Sequence, residues 1–132
     1  CQYVLSSKGL TIGLLTDLGH ITPHVRQCYR DCDALLLECN HDLQMLREGP
    51  YSWTLKQRVG GEYGHLNNEQ ASDFLRSVNL GRLSKLVIYH ISQQNNHPDI
   101  ALAAIRESLE TWSGDLIVAS QTEGVGWIEI KA

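Results

Sequence analysis

Three short apolar runs in this chain end abruptly in side chains that carry chemistry, and this alternation of apolar runs with polar ends most narrows what the chain can fold into. Leu10–Thr16 leads into Asp17-Leu18-Gly19. After a helix-forming stretch, Ala34–Cys39 leads into Asn40-His41-Asp42, with Glu38 inside its last turn of sequence. Lys85–His90 closes on a histidine. Continuous apolar runs of this length are strands buried on both faces, and the loops that follow such strands are where α/β proteins place ligands. Gly64-His65-Leu66-Asn67-Asn68-Glu69 sets a further histidine just before a helix, and Asp17, His65 and His90 read as parts of one site.

The segments between the runs carry helix signals. Thr22-Pro23 is an N-cap followed by proline at the first helical position, and Val25, Cys28, Tyr29 and Cys32 share the face behind it. His41–Glu48 reads as a short helix with Leu43 and Leu46 buried, closed by Gly49-Pro50. Ser52–Val59 reads as another, stopped by Gly60-Gly61. Asn67–Val78 has an asparagine cap and an apolar stripe of Ala71, Phe74, Leu75 and Val78. His97-Pro98 opens a long helix to Trp112, with Ile100, Ala103, Ala104, Ile105 and Leu109 as its buried side. Gln2–Ser6 and Leu10–Thr16, joined by Ser7-Lys8-Gly9, read as an antiparallel hairpin, and Asp115–Ser120 and Trp127–Ile130 as two closing strands. Trp53, Trp112 and Trp127 are expected to be packing anchors rather than base-stacking platforms, and Lys56 and Arg58 a solvated basic face, with contact to a nucleic-acid backbone as the alternative.

The expected architecture is α/β, a mixed sheet with helices on one face, formed by residues 1–132 as a single domain. The other face would then be apolar and uncovered, which predicts a homo-oligomer through the exposed sheet face. Hydrophobic residues at 42% and charged residues at 20% suit a soluble globular protein, and there is no membrane-length apolar run. The net charge of −4 excludes general attraction to polyanions and leaves only local patches or metal ions to hold one. Cysteines 1, 28, 32 and 39 have no metal or redox spacing and read as reduced thiols of a cytoplasmic protein. The chain begins without methionine or signal-peptide features, and a processed or partial chain is the expectation.

The order strand, Thr16-Asp17-Leu18-Gly19, helix, strand, Glu38–Asp42, then Gly64-His65-Leu66-Asn67-Asn68-Glu69, then Val87-Ile88-Tyr89-His90, resembles the C-terminal half of a metallo-β-lactamase-fold hydrolase. The nearest branch is that of the YycJ/WalJ-like exonucleases, with ribonuclease Z more distant. The resemblance covers nearly the whole chain. It implies one half of an αββα sandwich, with two divalent metal ions, zinc or manganese, in the complete enzyme. It assigns Asp17 as the bridging metal ligand, His90 as the last metal-binding histidine, and His65 as the catalytic residue beside the scissile phosphate. Glu38, His41, Asn67 and Asn68 are second-shell or substrate-binding candidates; for Glu38 and His41 plain capping is an equal reading, and Asn67 and Asn68 would offer backbone N–H groups to a phosphate.

The His-x-His-x-Asp-His signature of that fold is absent from this sequence. The resemblance thus implies a metal-dependent phosphodiesterase or nuclease of which this chain holds part of the dinuclear site, with the isolated chain inactive and the ions not necessarily retained. Nucleic acid or another phosphodiester would be the parent's substrate. The alternatives are a non-catalytic α/β domain that self-associates, and a hydrolase of small thioesters, lactams or lactones.

Overall fold

Lys8 and Gly9 both adopt left-handed backbone, φ 52° and 81°, the requirement of a two-residue hairpin turn, and so the chain begins by folding back on itself. The computed structural model describes residues 2–131; Cys1, read above as a reduced thiol, lies outside them. β1 (Gln2–Ser7) and β2 (Leu10–Leu15) pair antiparallel. The chain then crosses through α1 (Pro23–Tyr29) to β3 (Ala34–Glu38). It continues through α2 (Leu43–Glu48), α3 (Trp53–Val59) and α4 (Asn68–Leu75) to β4 (Lys85–Tyr89). α5 (Pro98–Arg106), extended by a 3₁₀ turn over Glu107–Leu109, leads to β5 (Asp115–Val118). The five strands lie in the order β1-β2-β3-β4-β5, parallel from β2 onward.

Alternate strand residues sort the two faces. Leu15, Leu35, Leu37, Leu86 and Ile88 are fully buried in one cluster with Phe74, Leu75, Ala101 and Ile105 from α4 and α5. Tyr29 of α1 meets Phe74 edge-on at 6.3 Å between ring centroids. The opposite parity carries Tyr3, Leu5, Ile12, Leu14, Leu36, Val87, Tyr89 and Ile117. Tyr3 and Leu5 are exposed there, and Ile12, Leu14, Leu36 and Ile117 only half-buried. The expected mixed sheet with a helix-covered face and an apolar opposite face is what the chain forms.

Local expectations fail where burial, rather than sequence, decides. Leu43 is exposed while Leu46 is buried, so α2 packs through one leucine and not two. α5 buries Ala101 and Ile105 and leaves Ile100 and Ala103 at the surface, because residues four apart share one helical face and that face meets the core cluster. Trp127–Ile130 forms no strand; β5 ends the sheet and the following chain makes only a bridge between Ser120 and Gly124. Trp112 anchors as expected, its indole N–H donating to the Leu83 carbonyl at 2.6 Å. Trp53 and Trp127 do not pack: they are 74% and 106% exposed.

Candidate metal centre

Parallel strands with little stagger bring their C-terminal ends to one edge. Leu15 is level with Leu37, and Leu37 with Ile88, so the residues that follow β2, end β3 and follow β4 are Asp17, Glu38 and His90, side by side. His65 arrives from the loop before α4. That loop is tied down by the His65 N–H donating to the Val59 carbonyl, 2.9 Å, and the Asn40 N–H donating to the Leu66 carbonyl, 2.9 Å. Asp17, Glu38, His65 and His90 each place a donor atom within 4.8 Å of the others. The three residues expected to converge do so.

Glu38 is the hub. Its side chain is fully buried, and its Oε1 accepts from Nδ1 of His65 and Nδ1 of His90, both at 2.8 Å. Oε2 accepts the Asp17 backbone N–H at 2.9 Å and, more weakly, that of Leu66 at 3.5 Å. Burial pushes the Glu38 carboxyl up, but the hydrogen bonds from His65 and His90 outweigh it and hold the group below the usual carboxylate range. The same bond to Glu38, against the opposing effect of burial, raises the His90 pKa. Since a carboxylate only accepts, both histidines carry their proton on Nδ1 and keep the Nε2 lone pair available. The two rings stand edge-to-face at 5.1 Å.

Asp17 and His90 share a second property. Both have φ of 55°, the left-handed region that costs a non-glycine residue about 1–2 kcal/mol. Gly19 allows the Asp17 loop to press against the loop before His65: a Cβ there would collide with the Gly61 carbonyl oxygen. Gln70 Nε2 donates to the Gly19 carbonyl at 2.8 Å and fastens the contact. Gly19→Ala is expected to push these loops apart and weaken divalent-cation binding at least ten-fold, read by calorimetric titration; unchanged affinity would show that the contact does not set the site.

Asn67 and Asn68 make local structural hydrogen bonds, whereas the His41 ring makes none among the described residues. Asn67 forms a reciprocal capping box with Gln70, and the Asn68 side chain is buried in paired bonds with Asn96 at 3.0 and 2.8 Å. The Asn67 N–H donates to Gln70 and the Asn68 N–H to the His41 carbonyl, so these two backbone groups are already paired. His41 is buried outside the cluster, neither ring nitrogen has a partner among the described residues, and burial pulls its pKa down to about 4. Asp42 caps α2. Asn40, not singled out as a site residue, holds the His90 carbonyl at 2.9 Å and so fixes the strained turn.

A cavity of about 270 Å³ opens beside His65 and His90, walled by Asn40, Tyr51, Val59 and the amide-rich segment Ser92–Asn95. The Asp17 carboxylate and the His90 imidazole, beside His65 and over a buried carboxylate, suit a divalent metal ion. In the metal-free protein, Glu38 contributes stability above its unfolded pKa that is lost as pH falls through its depressed folded value. His90 contributes stability below its unfolded value, about 6.5, that is lost as pH rises through its raised folded value. A urea midpoint highest between these limits is expected, with the alkaline decline missing in His90→Ala.

No protein-family model matches the chain. It is 36% identical over 88 residues to the exodeoxyribonuclease WalJ of Streptococcus pneumoniae, covering 67% of this chain and 33% of that protein. It is 29% identical over 108 residues to the exodeoxyribonuclease YycJ of Bacillus anthracis, covering 82% and 41%. The chain thus spans about a third to two-fifths of the length of these relatives. Among solved structures, the metallo-β-lactamase-fold protein YhfI of Bacillus subtilis superposes with a TM-score of 0.63 at 17% identity, over 96% of this chain and 42% of its own. Zinc-bound PqqB of Methylobacterium extorquens superposes at 0.52 and 20% identity, over 94% and 42%. The chain has a metallo-β-lactamase-like fold and is similar in sequence to parts of the exodeoxyribonucleases WalJ and YycJ.

Proposed function

We propose that this chain is the C-terminal part of a metal-dependent phosphodiesterase acting on nucleic acid, and that it carries the Asp17–His65–His90 portion of a dinuclear centre. The observation that carries this reading is the convergence of these three residues on the buried Glu38 carboxylate. The names of the relatives support a nucleic-acid substrate. Asp17 and His90 offer the oxygen and nitrogen donors, and the ions, when bound, would supply a water nucleophile at neutral pH and neutralise phosphate charge. Glu38 keeps both imidazoles in one orientation and tautomer. His65, with its Nδ1 proton held by Glu38, can carry a second proton on Nε2 as an imidazolium balanced by that carboxylate, and deliver it to a departing alkoxide.

Among the described residues no helix is long and apolar enough to cross a membrane. A cytoplasmic setting belongs to the same reading and is supported by the free thiols of Cys28, Cys32 and Cys39. The uncovered sheet face supports closure of the αββα sandwich by a second layer. In the isolated chain a second copy would supply it, and a light-scattering mass equal to one chain at all concentrations would rule that out. In the longer protein that this reading requires, His65→Ala is expected to slow hydrolysis of a simple phosphodiester by about 10²–10⁴-fold with metal content unchanged. Loss of metal together with activity would instead make His65 a ligand, and unchanged activity would remove it from the chemistry.

A further inference from the structure

α3 is a helix without a buried residue. A seven-residue helix is marginal in water unless one face packs, so a solvent-facing Trp53 and a 38% exposed Leu55 on such an element are unusual. Between α2 and α3 lies a groove of about 300 Å³, lined by Leu43, Leu46, Arg47, Trp53, Lys56 and Gln57. Lys56 Nζ donates to the Arg47 carbonyl at 2.7 Å, which holds the two helices together across the groove.

The charge around it is unbalanced. The chain has eleven Lys and Arg and a net charge of −4. Five of these cations form ion pairs among the described residues. Of the others, Arg47, Lys56 and Arg58 lie within twelve residues of one another. The only acid within α2 and α3 is Glu48, whose carboxylate receives the Gln44 amide. Two of these cations, Arg47 and Lys56, line the groove beside the exposed Trp53 indole and form no ion pair among the described residues, which gives the two parts of a single-strand platform: cations for phosphates and a ring on which a base can stack. A protein partner would be met by apolar area with charge excluded from its centre, whereas here two cations form the groove wall.

Position links the groove to the metal centre. Tyr51 precedes α3 and Val59 ends it, and both line the cavity beside His65 and His90. We propose that the α2–α3 groove is a binding surface for single-stranded nucleic acid, with one base stacked on Trp53 and flanking phosphates on Arg47 and Lys56, so that a strand held there is led towards the Asp17–His65–His90 cluster. This deepens the nuclease reading and rests on it for the direction of the strand, but the binding surface itself needs no metal ion and no hydrolysis.

The test is metal-free binding of a fluorescently labelled oligothymidylate of about ten nucleotides, in EDTA, followed by anisotropy of the label, with quenching of tryptophan emission in a Trp127→Phe background as a second readout. Two phosphate contacts predict that the logarithm of affinity falls with the logarithm of salt with a slope of about −1.4. Trp53→Ala is expected to weaken binding by about ten-fold, and Arg47→Gln and Lys56→Gln each to flatten the salt slope. Arg30→Gln and Arg106→Gln, which remove unpaired exposed cations elsewhere, should change neither. Equal effects from the groove and control variants, binding without salt dependence, or quenching that survives in Trp53→Phe would overturn the proposal. So would a failure to bind the oligonucleotide while Trp53 mediates association with another protein. Binding without metal together with an inactive metal-loaded parent would refute the nuclease reading and leave this one standing.

Discussion

Replacing Glu38 with alanine is expected to destabilise the protein by about 3 kcal/mol and to abolish divalent-cation binding. The carboxylate is the common acceptor for two imidazole N–H groups and two backbone N–H groups, and it is fully buried. Its loss leaves the Leu66 and Asp17 amides without an acceptor and frees both rings to turn. Urea unfolding measures the first effect: the midpoint should fall with the slope unchanged. Glu38→Gln separates packing from charge. Glutamine keeps the volume but turns an amide towards at least one donor, so it should recover part of the stability and little of the metal affinity. Wild-type metal binding in Glu38→Gln would show that Glu38 fills space and does not orient the histidines.

The second large effect belongs to Asp17. Saturating the wild-type chain with zinc or manganese at about a thousand times the dissociation constant should add roughly 4 kcal/mol of stability, a rise of about 10 °C or more in Tm. Asp17→Asn should remove that rise while leaving the metal-free Tm near wild type, because asparagine accepts the left-handed backbone that Asp17 occupies. Asp17→Ala should lose the rise and about 1 kcal/mol of metal-free stability as well. A rise that persists in Asp17→Asn would exclude the carboxylate as a ligand.

Much of the fold is legible because its signals are local. The caps Thr22, Ser52, Asn67 and His97 fall where short polar side chains precede helix formers, and each accepts a backbone N–H in the structure. The Lys8-Gly9 turn and the apolar strands β3 and β4 are equally plain. Trp127–Ile130 has strand composition yet pairs with nothing, since a strand exists only when a neighbour completes its hydrogen bonds. Trp53 misled for a related reason: an indole's size says that it can be buried, and only the surroundings say whether a pocket receives it.

By itself the sequence determined the α/β alternation, the polar ends of its strands and the identity of Asp17, His65 and His90 as candidates. The tertiary structure decided that Glu38 stands at their centre, that Asn67 and Asn68 make local structural hydrogen bonds, and that α3 presents Trp53 to solvent. The physical reason is range. Capping and periodicity act over a few residues, but residues 17, 38, 65 and 90 meet only because β2, β3 and β4 lie side by side in register, and that pairing fixes which carboxylate is removed from water and which is left to face it.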